Sequence, residues 1–151
     1  MLAEHSPLER MRVAPTAVRR LVIDDNAQAA TRHALEEYAL LLDPTPRAMK
    51  RFVMQYSMFR AVRTAEGSVI PTGPLALWTV LHTRWPLLAE LLQATPEAVQ
   101  FFEGPATRIP PSVPEDLRRV FTDPPVALRE VMNHVAGPLD EATIREASGQ
   151  A

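Results

Sequence analysis

The sequence contains no cysteine and little glycine. Without cysteine, the chain can form neither disulfides nor thiolate metal sites. Its 5 glycines among 151 residues lie well below the usual share of about 7%. No G-x-x-x-x-G-K-[ST] phosphate loop occurs, and that loop is what holds the β- and γ-phosphates in P-loop enzymes. We therefore expect that this chain alone does not hydrolyse ATP.

Long apolar runs are also missing. The longest stretch without a charge, residues 67–83, is interrupted by two prolines, two glycines and a histidine, unlike a membrane-spanning helix. Residues 1–10 lack the apolar segment of a signal peptide. We therefore expect a cytoplasmic protein that does not enter a membrane.

Acidic and basic residues are nearly balanced, with 18 of the first and 16 of the second and a net charge of -2. This balance gives no global positive field of the kind that attracts nucleic acid. Two basic doublets, at 19–20 and 118–119, are interpreted as solvated. The histidines are isolated, and no nucleophile motif occurs. We expect no catalytic residue, metal, cofactor or nucleic-acid partner. The four histidines are His5, His33, His82 and His134.

Proline is abundant, with 15 residues, about twice its usual share of roughly 5%. The pairs Thr45–Pro46, Thr95–Pro96 and Asp123–Pro124 are typical of a helix N-cap followed by the first helical residue. The run at 21–23 that leads into Asp24 and Asp25 is interpreted as the approach to a further helix cap, not as a Walker B strand. We predict an all-α fold, an irregular bundle of about seven or eight short helices with proline-marked N-termini. The predicted helices are 27–42, 46–65, 74–84, 86–93, 96–103, 114–121, 124–135 and 140–147, with an extended crossing at 104–114.

A single helical domain is predicted over residues 18–147, between flexible tails at 1–17 and 148–151. The one strand-like run, 18–23, has no partner in the sequence. Five large apolar side chains step by three and four residues, which predicts a core stripe. Proline within this stripe predicts a kink or a tight helix restart at Pro86. The stripe consists of Trp78, Leu81, Trp85, Leu88 and Leu92.

The predicted helix 46–65 has two unlike faces. One face is an ordinary core face made of Met49, Phe52, Val53, Tyr56 and Phe59. The opposite face begins with Arg47, Lys50 and Arg51 and continues as Met54, Met58 and Val62. Cations and unpaired N–H groups at a helix start suit a phosphate or carboxylate, and an apolar strip beside them suits another protein. Alternatively, the cations pair with Asp24, Asp25 or Asp43, and another helix of the same domain covers the strip.

The run at 46–56, PRAMKRFVMQY, resembles the P-R-x-x-K-R-F-[VL]-N-x-[YF] signature of KAP-type P-loop NTPases, which are STAND-like relatives of AAA+ ATPases. In that family the segment opens a helix of the all-α region that follows the nucleotide-binding core. Residues 77–88 and 137–145 also resemble the tails of such proteins. This chain has Met54 in place of the usual Asn, and Ser57 where an Arg often follows the aromatic residue. The resemblance implies that Arg47 senses nucleotide, while Lys50 and Arg51 support it or hold the lid to the core.

Three hypotheses for function follow. The first is a non-enzymatic lid or sensor domain that acts with a P-loop ATPase core on another chain, or is the remnant of a split gene. In it, Arg47 reports on bound nucleotide while Met54, Met58 and Val62 dock on the core. The second is a stand-alone regulatory domain in which Arg47, Lys50 and Arg51 bind a small anion, or which binds a protein partner. The third is an interaction scaffold to which the three cations contribute nothing measurable.

Overall fold

The structure, a computed structural model, describes residues 25–150, and over this range it is all-α. The predicted tail at 1–17, the run at 18–23 and Asp24 lie outside the described residues. The seven α-helices of the described range are α1 (Asp25–Leu35), α2 (Pro46–Ala65), α3 (Thr72–Arg84), α4 (Pro86–Ala94), α5 (Glu115–Thr122), α6 (Val126–Met132) and α7 (Glu141–Ser148). Three 3₁₀ helices accompany them, at Glu36–Leu41, Pro96–Phe101 and Ala106–Arg108. The predicted fold class is confirmed.

Helix α3 is the centre of the bundle. It contacts α2, α4, α6, α7 and the 3₁₀ helix Glu36–Leu41, and every residue from 75 to 81 is buried. A helix that is apolar all round is a core helix. The hydroxyl of its one buried polar residue, Thr79, donates to the carbonyl oxygen of Leu75 at 2.7 Å. The core therefore contains no unsatisfied hydroxyl at this point.

The predicted restart at Pro86 is confirmed. Helix α3 ends at Arg84, Trp85 lies between the helices, and α4 begins at Pro86. Proline has no N–H to continue the hydrogen-bond ladder. On either side of the break, Trp85 N–H donates to the carbonyl of Leu81 at 2.8 Å, and Ala89 N–H donates to the carbonyl of Trp85 at 2.9 Å. The predicted stripe is core: Trp78, Leu81, Leu88 and Leu92 are buried, and Trp85 packs partly buried against them.

The proline-marked starts are correct at some positions and wrong at others. Helix α2 has the predicted bounds, and Thr45 Oγ1 accepts from Ala48 N–H at 3.1 Å as its N-cap. The start predicted at Asp123–Pro124 is wrong, because α6 begins at Val126. A residue that precedes proline is disfavoured in the α region, and Pro124 is followed by Pro125. The segment that begins at Pro96 is a 3₁₀ helix without a side-chain cap.

Other predicted bounds shift as well. The helix predicted at 27–42 is two elements, because α1 ends at Leu35 and a 3₁₀ helix follows. In 3₁₀ geometry residues i and i+3 eclipse, so Tyr38 and Leu41 are buried together. Burial and the neighbouring Glu37 carboxylate raise the pKa of Tyr38 to about 12. At the other end, α7 includes Ser148 and is capped by the left-handed Gly149, so the predicted tail at 148–151 begins within an ordered helix end.

The interpretation of Arg118 as a solvated cation is wrong. Its guanidinium donates to the carbonyl oxygens of Val113 at 3.2 Å, Ile109 at 3.3 Å and Pro110 at 2.9 Å. Prolines in this crossing supply no N–H donors, so its carbonyl groups need donors from elsewhere. Its neighbour Arg119 is exposed and lies 4.0 Å from Glu115. One member of the doublet is therefore structural.

Gly73 allows a close approach at the start of α3. A Cβ atom at this position would lie 2.8 Å from both the Cβ and the carbonyl oxygen of Ala136 and 3.3 Å from the Tyr38 hydroxyl. A Cβ at Gly104 would make only ordinary contacts, at 3.6 and 3.9 Å. The two glycines therefore form a matched pair, one crowded and one not.

We expect Gly73→Ala to lower the free energy of unfolding by about 1–3 kcal/mol, because the added methyl meets backbone that cannot move cheaply. This loss exceeds the gain of roughly 1 kcal/mol that alanine normally brings to a helix. Equilibrium unfolding in urea measures both variants. Gly104→Ala is the control and should change stability much less; equal losses in the two variants would contradict the packing argument.

Candidate functional site

Helix α2 has a core face and an outer face, as predicted. Phe52, Val53 and Tyr56 are buried, and Met49 and Phe59 pack partly buried against the core. The core of the described residues is built without any residue of the outer face. The side chains of the outer face are therefore not needed to fill the hydrophobic core.

The three predicted cations, Arg47, Lys50 and Arg51, are exposed on this outer face. Among the described side chains, no carboxylate lies within 4.0 Å of any of them. Asp43, one of their predicted partners, lies instead 3.9 Å from Arg84. Like charges three and four residues apart on a helix repel one another by a few tenths of a kcal/mol. The side chains of Asp24 and Asp25, the two other predicted partners, lie outside the part of the chain that the structure describes.

The predicted supply of unpaired N–H groups at the start of α2 is mostly absent. Pro46 has no N–H, the N–H of Ala48 donates to Thr45 Oγ1, and the N–H of Met49 donates to the Thr45 carbonyl at 3.2 Å. The local cap thus takes up donors that an anion would need. An anion that binds at this end of α2 would have to be held by side chains rather than by backbone N–H groups of the first turn.

Lys50 and Met54 come together in a groove between α1 and α2. The groove encloses about 290 Å³ and is also lined by Ala29, Arg32, His33, Glu36 and Val53. Among the described lining residues the one carboxylate is that of Glu36, which lies 3.5 Å from His33 Nδ1. Three basic side chains, those of Arg32, His33 and Lys50, therefore face one acidic group. Arg47 and Arg51 do not line this groove.

Arg32 and His33 were not among the residues predicted for a site. The available signal was their place in the last turn of α1, where cations are favoured by the helix dipole. The helix dipole explains why basic residues occur in the last turn of α1, but it does not predict that α1 packs beside Lys50. The groove depends on the angle between two helices, which no local pattern specifies.

The apolar part of the outer face is short. Met54 is 44% exposed and Met58 is 52% exposed, whereas Val62 is only partly exposed. The exposed strip therefore consists of two methionines one helical turn apart, directly after the three cations. We call these five residues the basic–methionine face: Arg47, Lys50, Arg51, Met54 and Met58.

His82 lies on the inner side of the α2–α3 interface. Its ring meets Trp78 edge-on at 4.7 Å and Phe59 at 5.0 Å between ring centroids. Its Nε2 atom is buried and has no hydrogen-bond partner within the described range. Burial lowers the pKa of His82 below its ordinary value of 6.5. This histidine is therefore a partly buried residue that resists protonation.

Comparison of the chain with protein-family models, with curated proteins and with solved structures gives no match in any of the three. Among residues 25–150, no helix combines the length and the apolar character needed to cross a membrane. Nor do the side chains of this range bring three metal-ligating residues together. Proposals about function therefore depend on the surfaces described above.

We expect the stability of the protein to fall as the pH drops below 6.5. Because the pKa of His82 is lower in the folded state, the unfolded chain binds a proton in this window that the folded chain does not. Above pH 6.5 both states are neutral at this position, and the effect vanishes. His82→Leu should lose this part of the pH dependence, measured by urea unfolding at pH 5.5 and 7.5. His33→Gln, at an exposed histidine, should leave the difference between the two pH values nearly intact.

Proposed function

We propose that this chain is a non-enzymatic, cytoplasmic helical domain that binds a partner protein through its basic–methionine face. The observation that carries the proposal is the pair of half-exposed methionines, Met54 and Met58, directly after three exposed cations on one helix face. Methionine is flexible and polarisable, and it is common on surfaces that adapt to a partner. An acidic partner surface would also relieve the repulsion among the cations.

We further propose that the partner is a P-loop ATPase core supplied by another chain. This part depends on the likeness of residues 46–56 to the KAP-type signature, in which the helix belongs to the all-α region beside the nucleotide. In this arrangement Met54 and Met58 pack on the core. Arg47, exposed in the first turn of α2, reaches the phosphate of the nucleotide, and Lys50 and Arg51 hold the domain in place.

The first test is whether the reading frame immediately upstream encodes a Walker A motif, and the second is co-purification of this chain with the product of that frame, with and without ATP. We expect Met54→Glu to reduce binding at least tenfold in both conditions, because it places a charge in the contact. Arg47→Ala should retain binding without nucleotide and lose the part that ATP adds.

Arg119→Ala is the matched control, since Arg119 is exposed and far from α2 in sequence, and it should behave as the wild type. No co-purification in either condition would overturn the assignment of an ATPase partner. Equal binding by wild type and Met54→Glu would overturn the basic–methionine face as the docking surface.

A second function is favoured by the groove between α1 and α2. Its three basic side chains and one carboxylate would suit a small phosphorylated or carboxylated ligand. The groove is close to the lower size limit of about 300 Å³ for small-molecule sites. In this case the chain would act without a partner as a regulatory domain.

Thermal-shift measurements with pyrophosphate and ATP separate the two functions, because a stand-alone binder is stabilised by its ligand alone. We expect any such stabilisation to be lost in Lys50→Gln and kept in Arg119→Gln. Lys50 is the only lysine, so a ¹³C-dimethylated sample carries one side-chain reporter in the groove. An unchanged Lys50 signal on addition of either anion would overturn the second function.

A further inference from the structure

A second cavity lies where the 3₁₀ helix Pro96–Phe101, helix α6 and the segment before α7 meet. It encloses about 280 Å³. Its apolar lining comes from Val99, Phe102, Pro124, Met132 and Leu139. Of these, Pro124, Met132 and Leu139 are buried, and the two others are partly buried. The cavity therefore has a firm apolar base formed by residues distant in sequence.

The described charged groups that line the cavity are Glu103, Arg129 and Asp140. Arg129 Nε lies 3.0 Å from a carboxylate oxygen of Glu103, and outside the cavity lining a terminal nitrogen of Arg129 lies 3.5 Å from Asp123. The Asp140 carboxylate caps α7 by accepting from Thr143 N–H at 2.8 Å, and no described cationic side chain lies within 4.0 Å of it. Two carboxylates and one cation therefore line the cavity, which leaves a surplus of one negative charge.

Asp140 stays ionised under ordinary conditions. The hydrogen bond from the Thr143 backbone N–H holds the pKa of its carboxyl below the ordinary value of 3.8. An ionised carboxylate can accept further hydrogen bonds from a ligand. Asp140 can therefore cap α7 and face a cation in the cavity at the same time.

Glu103 is held in an unusual backbone conformation. Its φ angle of 57° lies in the left-handed region, which non-glycine residues rarely occupy. Its N–H donates to the carbonyl of Phe121 at 2.9 Å, and its carboxylate meets Arg129 at the rim of the cavity. Strained residues of this kind persist where their surroundings fix them, and they cluster at ligand sites. Glu103 lines the cavity together with its apolar residues.

We propose that this cavity binds a small organic cation: a primary ammonium group on a compact body of about one aromatic ring. The body would lie on Met132 and Leu139, and the ammonium group would face the carboxylates of Glu103 and Asp140. An organic acid of the same size fits less well, because the lining cation Arg129 is already paired with Glu103, whereas Asp140 has no cationic partner within 4.0 Å among the described residues. This site is separate from the basic–methionine face and does not depend on the proposed function.

Three probes of one shape test the charge preference: phenethylamine, 2-phenylethanol and 3-phenylpropionate. Titration of the wild-type chain by calorimetry or by amide NMR gives their affinities. We expect the amine to bind at least tenfold more tightly than the alcohol, and the acid to bind most weakly. Equal binding of the three, or no saturable amine binding up to about 10 mM, would overturn the proposal.

Two variants at Glu103 separate loss of the site from loss of the fold. Glu103→Gly removes the carboxylate at a position whose φ favours glycine, so its melting temperature should equal or exceed that of the wild type while amine affinity falls at least tenfold. Glu103→Gln keeps the shape and should lose affinity similarly. Glu115→Gln is the control and should bind the amine as the wild type does. Unchanged affinity in both Glu103 variants would overturn the role assigned to this carboxylate.

Discussion

Burial of α3 on all sides is the constraint on which the rest of the structure depends. Residues 75–81 have no solvent-facing side, so each neighbouring helix must cover one strip of α3 with its own apolar face. The consequences are visible at both ends of the helix. At the start, Gly73 lets the turn around Ala136 approach closely. At the end, Arg84 donates to the carbonyl of Leu41 at 2.8 Å, and Pro86 lets the chain turn back so that α4 can pack against α3.

The same constraint decides which part of α2 is available for function. Helix α2 is long, with 20 residues, and buries Phe52, Val53 and Tyr56, while Phe59 and Gln55 contact His82 and Thr83 of α3. Along its other arc Met54 and Met58 stay about half exposed, although Met54 also lines the groove beside α1. One helix therefore carries both a face that is packed in the core and a face whose side chains are exposed. Such a helix can hold a binding surface in a fixed position although the residues of that surface do not stabilise the fold.

Where local chemistry is strong, the fold can be predicted from the sequence. Thr45 and Pro46 together specify both the cap and the first residue of α2, and its bounds were predicted correctly for that reason. The pair Asp123–Pro124 predicts a helix start, but the following Pro125 disfavours helical backbone at Pro124. Helix α6 therefore begins only at Val126. The contacts of Arg118 with three carbonyl groups could not be predicted, because they depend on how the crossing folds back. Nor could the left-handed Glu103, since nothing in the residue type favours that conformation.

The groove between α1 and α2 and the cavity beside α6 explain why the net charge of the chain does not predict the charge of a ligand. A value of -2 describes the whole chain, whereas the field at a binding site is set by the few charges that line it. Among the described lining residues, the groove between α1 and α2 has Arg32, His33 and Lys50 beside Glu36, and the cavity beside α6 has Glu103 and Asp140 beside Arg129. With His33 neutral, the groove has a surplus of one positive charge and the cavity a surplus of one negative charge, so the two cancel in the sum. Because each surplus lies beside apolar side chains, the ligands proposed for the two places carry opposite charges: an anion for the groove and an organic cation for the cavity.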